Sequence, residues 1–186
     1  MINIPCVILA GGKSSRMEED KCFLPFRNTT LIKYQYDRLS KIFTNVYISS
    51  KTNKFNFECS LILEKNNIYS PMIALQNILN QFDKVFIISV DTPNISENTI
   101  KKIILNSKIY DLTIAKTKDG KTHNLTGIFS AKLNKQIDDM IKNDTHKVGY
   151  LIKKVNSNIV DNLNNNEFIN LNTKEDYQNI LKEKYD

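Results

Sequence analysis

Short apolar runs rich in β-branched residues recur at residues 4–9, 45–50, 60–63, 84–90, 111–116 and 125–130, and stretches of helical period separate several of them. Leu31, Tyr34, Leu39, Ile42 and Phe43 fall near one helix face, as do Met72, Leu75, Ile78, Leu79 and Phe82. The first of these stripes reads as core rather than as a ligand box. Ser96 suits the N-cap of a helix through Ile100, Ile103 and Ile104, and Thr173 that of a last helix through Tyr177 and Leu181. Strand–helix alternation over the first half implies right-handed crossovers and a mainly parallel sheet covered on both faces. Residues 156–166 are Asn-rich and poorly patterned, and read as loop around a short strand. A chain of 186 residues suffices for one domain with a real core and is short for two.

In such sheets ligands sit beyond the carboxyl ends of the strands, where connections diverge. That rule singles out LAGGKSSRMEEDK, residues 9–21, at the exit of the first strand. Gly12-Lys13-Ser14 suggests a nucleoside-triphosphatase loop, but that motif needs a glycine five positions before its second one, and Val7 stands there. The spacing GxGxxG fails as well. What remains is Gly11 and Gly12, without Cβ atoms, letting backbone N–H groups approach phosphates. Arg16 could then meet anionic oxygens as a fork and Lys21 as a point charge. A plain surface turn would use the glycines but would not demand the rest of the run. Asp91 directly follows the apolar run KVFIISV, where a carboxylate can reach a hard cation; taken alone, it reads first as an N-cap or turn aspartate before Thr92-Pro93.

The net charge of +6 and pI of about 9.1 would suit a nucleic-acid binder, but the lysines are spread along the chain without a basic arm or interleaved aromatics. No nucleic-acid partner is expected; a small polyanionic substrate is. Apolar runs such as Val85–Val90 fall far short of the roughly 20 residues of a membrane span. No export signal is visible, and Cys6, Cys22 and Cys59 are scattered without metal-ligand spacing, as for free thiols of a reducing compartment. A cytoplasmic protein is expected.

LAGGKSSRMEEDK resembles the signature LAGG-x-S-x-RM-G-x-DK of nucleotidyltransferases related to molybdenum cofactor guanylyltransferase. Asp91-Thr92-Pro93 matches that family's D-x-P metal-binding step. His123-Asn124-Leu125-Thr126-Gly127 resembles its His-Pro-Leu stretch before a late strand, and Asn170-Leu171-Asn172-Thr173 its N-x-N-T ending before the last helix. The likeness covers nearly the whole chain. It implies an α/β fold: one Rossmann-like, three-layer nucleotidyltransferase domain over residues 1–186, its sheet mainly parallel with a late antiparallel strand. It implies transfer of GMP from GTP to molybdenum-bound molybdopterin by in-line attack on the α-phosphate. Mg2+ would be held by Asp91, with molybdoenzyme maturation proteins as candidate partners. Arg16, Lys21 and Asp91 would be catalytic. Leu9, Ala10, Gly11, Gly12, Lys21, Ser49 and Asp91 would bind nucleotide, and His123, Asn170 and Asn172 the acceptor. His146 has no motif support.

The chain departs from the pattern in four places. Glu18 replaces a Gly, Ser49 an Asn, Lys65 an Asp, and Ser70-Pro71-Met72-Ile73-Ala74 is a weak counterpart of a Gly-Pro-Leu-x-Gly turn. Cytidylyl transfer, transfer to a sugar phosphate, or a non-catalytic carrier of the molybdenum cofactor remain the alternatives.

Overall fold

A computed structural model describes residues 1–11, 20–64 and 68–182. In chain order its elements are β1 (Cys6–Leu9), β2 (Pro25–Phe26), β3 (Thr29–Thr30), α1 (Leu31–Ser40), β4 (Val46–Ser50), β5 (Ser60–Leu63) and α2 (Pro71–Leu79). There follow β6 (Lys84–Ser89), α3 (Glu97–Leu105), β7 (Leu112–Thr117), β8 (Thr122–Ser130), α4 (Asn134–Lys142), α5 (Val148–Ile152), β9 (Ser157–Leu163) and α6 (Lys174–Lys182). Seven strands form one sheet in the order β5-β4-β1-β6-β8-β7-β9. Within this sheet only β8 runs against its neighbours and every other pairing is parallel, while β2 and β3 form a separate antiparallel pair. The expected α/β architecture with a late antiparallel strand is what forms.

Alternation along each strand builds two cores. Cys6 and Ile8 of β1 and Phe86 and Ile88 of β6 face Leu31, Leu39, Ile100, Ile103 and Ile180 of α1, α3 and α6. Val7, Val85 and Ile87 face Met72, Leu75, Ile78, Ile137, Met140 and Leu151 of α2, α4 and α5. Central strands with both faces covered become continuously apolar, which is why CVIL and KVFIIS carry so little polarity. Caps set the helix starts. Ser70 accepts from Met72 N and Ile73 N, with Pro71 in the first turn, and Ser96 accepts from Thr99 N. Thr173 and Asp176 cap each other's backbone N–H groups at the start of α6.

The second half departs from expectation in three places. Residues 156–166 hold a full seven-residue edge strand, β9, where a short strand within a loop was expected. Its pairing with β7 slips between Ala115 and Thr117, and Asn162 takes a left-handed φ of 58° there. The run at 125–130 is the tail of a longer strand: β8 begins at Thr122, and its pairing with β7 also slips, beside Ile114 and Ala115. Finally, α4 and α5 lie where no element was expected. Gly127 is obligatory in β8, since a Cβ there would lie 1.9 Å from the carbonyl oxygen of Thr113.

Candidate active site

The connection leaving β1 goes toward β4, and the chain later returns to place β6 on the other side of β1. The carboxyl ends of β1 and β6 are therefore the switch point at which doubly wound sheets bind ligands. Asp91 lies there, just past β6. Its loop is pinned from below by α1: buried Gln35 donates from Nε2 to Thr92 O at 3.0 Å, and Arg38 donates to Ile95 O.

Lys21 reaches this point from the far end of the signature. Asp20 caps the single helical turn Lys21–Phe23, its Oδ1 accepting from Cys22 N at 3.1 Å, and its other oxygen pairs with Lys54. Burial opposes ionisation of Asp20, yet the Lys54 and Cys22 hydrogen bonds outweigh it and hold the carboxyl below its usual range. Lys54 also lies over the rings of Phe23 and Phe55, which touch each other. Cys22 Sγ donates to Ala10 O at 3.7 Å, and burial pushes its thiol up to about 12. The turn so fixed aims Lys21 Nζ at Asn172 Oδ1, 2.8 Å away, and at Asp91 Oδ2, 3.6 Å away. Leu171 N donates to Asp91 O at 2.9 Å, joining the N-x-N segment to the D-x-P loop by backbone. Three separate stretches of sequence thus meet at Lys21, Asp91 and Asn172.

The region beyond β4 is arranged differently from expectation. Ser49 has no exposed surface; its hydroxyl lies 3.2 Å from Glu64 Oε1, and its carbonyl accepts from Ala10 N. The Ala10 N–H is therefore spent on the sheet, and a phosphate cradle can begin only at Gly11. Gly11 has a second reason to lack a side chain: a Cβ there would sit 2.6 Å from Glu64 Oε1. Glu64 itself is almost fully buried and paired with Lys51 at 2.8 Å, and Lys51 also donates to Ile68 O. Leu9 ends β1, its carbonyl accepting from Val90 N. Gly12, Arg16, Glu18 and Lys65 lie outside the described residues.

Next to Asn172 opens a polar cleft of about 310 Å3, lined by Thr117, Asp119, His123, Phe168, Asn170 and Asn172 among others. The three residues expected to touch the acceptor, His123, Asn170 and Asn172, share this cleft. Asn170 Oδ1 is buried there without a hydrogen-bond partner among the described residues. His123 packs on Phe168 with ring centroids 4.4 Å apart, and burial, reinforced by Lys121, lowers its pKa to about 4. His146 lies away from these groups, bonded to Ser70 and Asp144. Sequence reasoning missed Asp20, Lys54, Glu64, Lys51, Thr117 and Asp119. Glu64 could have been found by the strand-exit rule that found Asp91, since it directly follows β5, and Asp20 by its place in the D-K ending of the signature; Lys54, Lys51, Thr117 and Asp119 carry no motif. Among the described residues, no three His, Cys, Asp or Glu side chains cluster as metal ligands, and no helix is long and apolar enough to cross a membrane.

Residues 6–157 match the MobA-like NTP transferase domain. A molybdenum cofactor guanylyltransferase of Campylobacter jejuni subsp. doylei is 38% identical over 183 residues, covering 96% of this chain and 95% of the relative. The structure of molybdopterin-guanine dinucleotide biosynthesis protein A from Archaeoglobus fulgidus superposes with a TM-score of 0.81 at 14% identity, over 95% of this chain and 96% of that one. Rv0371C of Mycobacterium tuberculosis, solved in complex with manganese, superposes with a TM-score of 0.66 at 18% identity, over 98% of this chain and 100% of that one.

Proposed function

The chain belongs to the MobA-like NTP transferase family and is a nucleotidyltransferase, and from that premise we propose that it transfers GMP from GTP to molybdenum-bound molybdopterin. The products are the guanine dinucleotide cofactor and pyrophosphate. The observation that carries the reading is the convergence of Lys21, Asp91 and Asn172 from the signature, the D-x-P loop and the N-x-N segment. Such a transfer needs positioning and charge neutralisation more than a protein nucleophile. A terminal acceptor phosphate has its second pKa near about 6, so at neutral pH it is largely ionised and requires no general base.

Each group then has a task. Lys21, aimed by the Asp20 turn, neutralises phosphate oxygens of the nucleotide, and Arg16 with the N–H groups from Gly11 and Gly12 completes the cradle. Ser49 acts through Glu64, whose carboxylate borders Gly11, and the base lies beside this pair. His123, Asn170 and Asn172 hold the acceptor in the polar cleft. A divalent cation fits the Asp91 carboxylate, a hard oxygen. The amide oxygen of Asn170, without a partner among the described residues, is a second hard oxygen on the segment bonded to the Asp91 backbone. Mg2+ favours such a site, one carboxylate with phosphate oxygens and water, and when bound it would neutralise charge on the triphosphate. The three free cysteines support a cytoplasmic setting for the reaction.

The test is pyrophosphate release from the full chain with Mg2+, molybdenum-loaded molybdopterin and each nucleoside triphosphate in turn. GTP is expected to give the highest kcat/KM. A preference for CTP would remove the guanylyl part alone, whereas no turnover with any nucleotide would leave a cofactor carrier.

A further inference from the structure

Thr117, at the end of β7, has one hydroxyl proton and three polar neighbours. They are Asp119 Oδ1 at 2.5 Å, Lys121 O at 3.1 Å and His123 Nε2 at 3.2 Å. The proton goes to the carboxylate, which is the nearest and the only charged acceptor of the three. Lys121 N also donates to Asp119 Oδ1, at 3.2 Å, so that oxygen is held in place from two sides. With its proton committed, the Thr117 oxygen faces His123 Nε2 as an acceptor. A neutral imidazole meeting an acceptor at Nε2 carries its proton there and leaves a lone pair at Nδ1. Nδ1 makes no hydrogen bond among the described residues, and it is not one of the side-chain atoms sealed from solvent. The ring is clamped on Phe168, and the cleft is the open space beside it.

We propose that Asp119 and Thr117 are positioning residues that lock His123 as a hydrogen-bond acceptor toward the cleft, where it reads a ring N–H of the acceptor's heterocycle. The inference rests on the acceptor reading given above and names the group recognised. A pterin's aminopyrimidinone ring offers N–H donors beside a carbonyl acceptor, and the amides of Asn165 and Asn166 around the cleft can meet either kind. A histidine free to move its proton to Nδ1 would donate to a carbonyl equally well; the relay removes that freedom. The two register slips on β7 bring these groups together. Both fall between Ile114 and Thr117, at the level of the cleft.

Ring-nitrogen NMR of the full chain decides between the tautomers. The Nε2–H form is expected for His123 from pH 6 to 8, and addition of a simple pterin should shift Nδ1 as it takes up a hydrogen bond. An Nδ1–H resting form, or no change at Nδ1 on saturation with pterin, overturns the proposal. In turnover, Thr117→Val should raise the KM for molybdopterin about tenfold while leaving the KM for GTP unchanged, and Thr117→Ser should restore it. An equal loss for both substrates would make Thr117 merely structural. Because NMR reads the relay without turnover, absence of guanylyl transfer by the unaltered chain would count against the reaction and leave the tautomer result standing on its own.

Discussion

The two halves of the sheet solve different problems. From β5 to β6 the strands are parallel and their registers unbroken, and the functional groups simply follow the strand ends: Gly11, Glu64 and Asp91. From β8 to β9 one strand is reversed, two registers slip, and a glycine and a left-handed asparagine are needed to pass the irregular places. Regular pairing holds charges at fixed spacing, as a triphosphate and its cation require. Bulges bend strands and re-aim side chains, and here they leave a polar cleft in which Thr117 and His123 meet. A phosphate site can therefore be built on the default geometry of a parallel sheet, whereas the polar cleft proposed for the acceptor is made by breaking it.

Asp91→Ala tests the regular half with the largest expected effect. Turnover should fall at least about 1000-fold, the loss of one main charge-stabilising group. The melting temperature should stay close to wild type, because the loop is held by its backbone and by Gln35, not by the carboxylate. Unchanged Mg2+-dependent activity would take Asp91 out of the chemistry. Gly127→Ala tests the irregular half: the added Cβ meets a backbone oxygen that cannot rotate away, so stability should drop by about 3 kcal/mol, read as a denaturant midpoint. A loss below about 0.5 kcal/mol would show that β8 can re-register around Thr113.

Smaller effects probe how each half is braced. Lys54→Ala should reduce kcat/KM for GTP about tenfold by loosening the turn that aims Lys21, and Lys54→Arg should recover most of it. Equal activity in all three proteins would mean that the turn holds without its ion pair. The gentlest test is acid titration. The His123 pKa of about 4 lies below its ordinary 6.5, so acidification protonates the unfolded chain first. Stability should fall as pH drops from about 6.5 toward about 4, and this contribution to the slope should end once folded His123 also takes up its proton. His123→Gln should flatten that window; an unaltered slope would assign it to other groups. The lowered carboxyl of Asp20 acts at more acid pH, its stabilisation being lost as pH falls below its ordinary 3.8.

Legibility from sequence follows the same division. The strands of the main sheet and the helices up to Leu105 announce themselves because both sheet faces are covered and each helix has a wide apolar face, whereas β2 and β3, two residues each, are too short to show a period. In β9 only Val160 and Leu163 are buried, so an edge strand shows almost no alternation. In β8 the slip resets the period after His123, which hides the strand's first residues. Helix α4 buries only Ile137 and Met140, and α5 is five residues long. At the site, Lys21, Asp91 and Asn172 could be named because each belongs to a motif of fixed spacing. The pairs Asp20–Lys54 and Lys51–Glu64 could not, since a contact between distant positions leaves no local pattern. Ser49 was legible as a position but not as a buried support for Glu64.

The bond from the Cys22 thiol to the Ala10 carbonyl has a consequence for how this chain can vary. It ties Ala10, near the start of the signature, to the residue just past its end, so the stretch between them is closed by a contact at its two edges. The entropy of closing a loop depends on where its ends are held and only weakly on what lies between them. The two ends of the span from Gly11 to Lys21 are thus set from outside it, by the sheet at Ala10 and by the helical turn at Cys22.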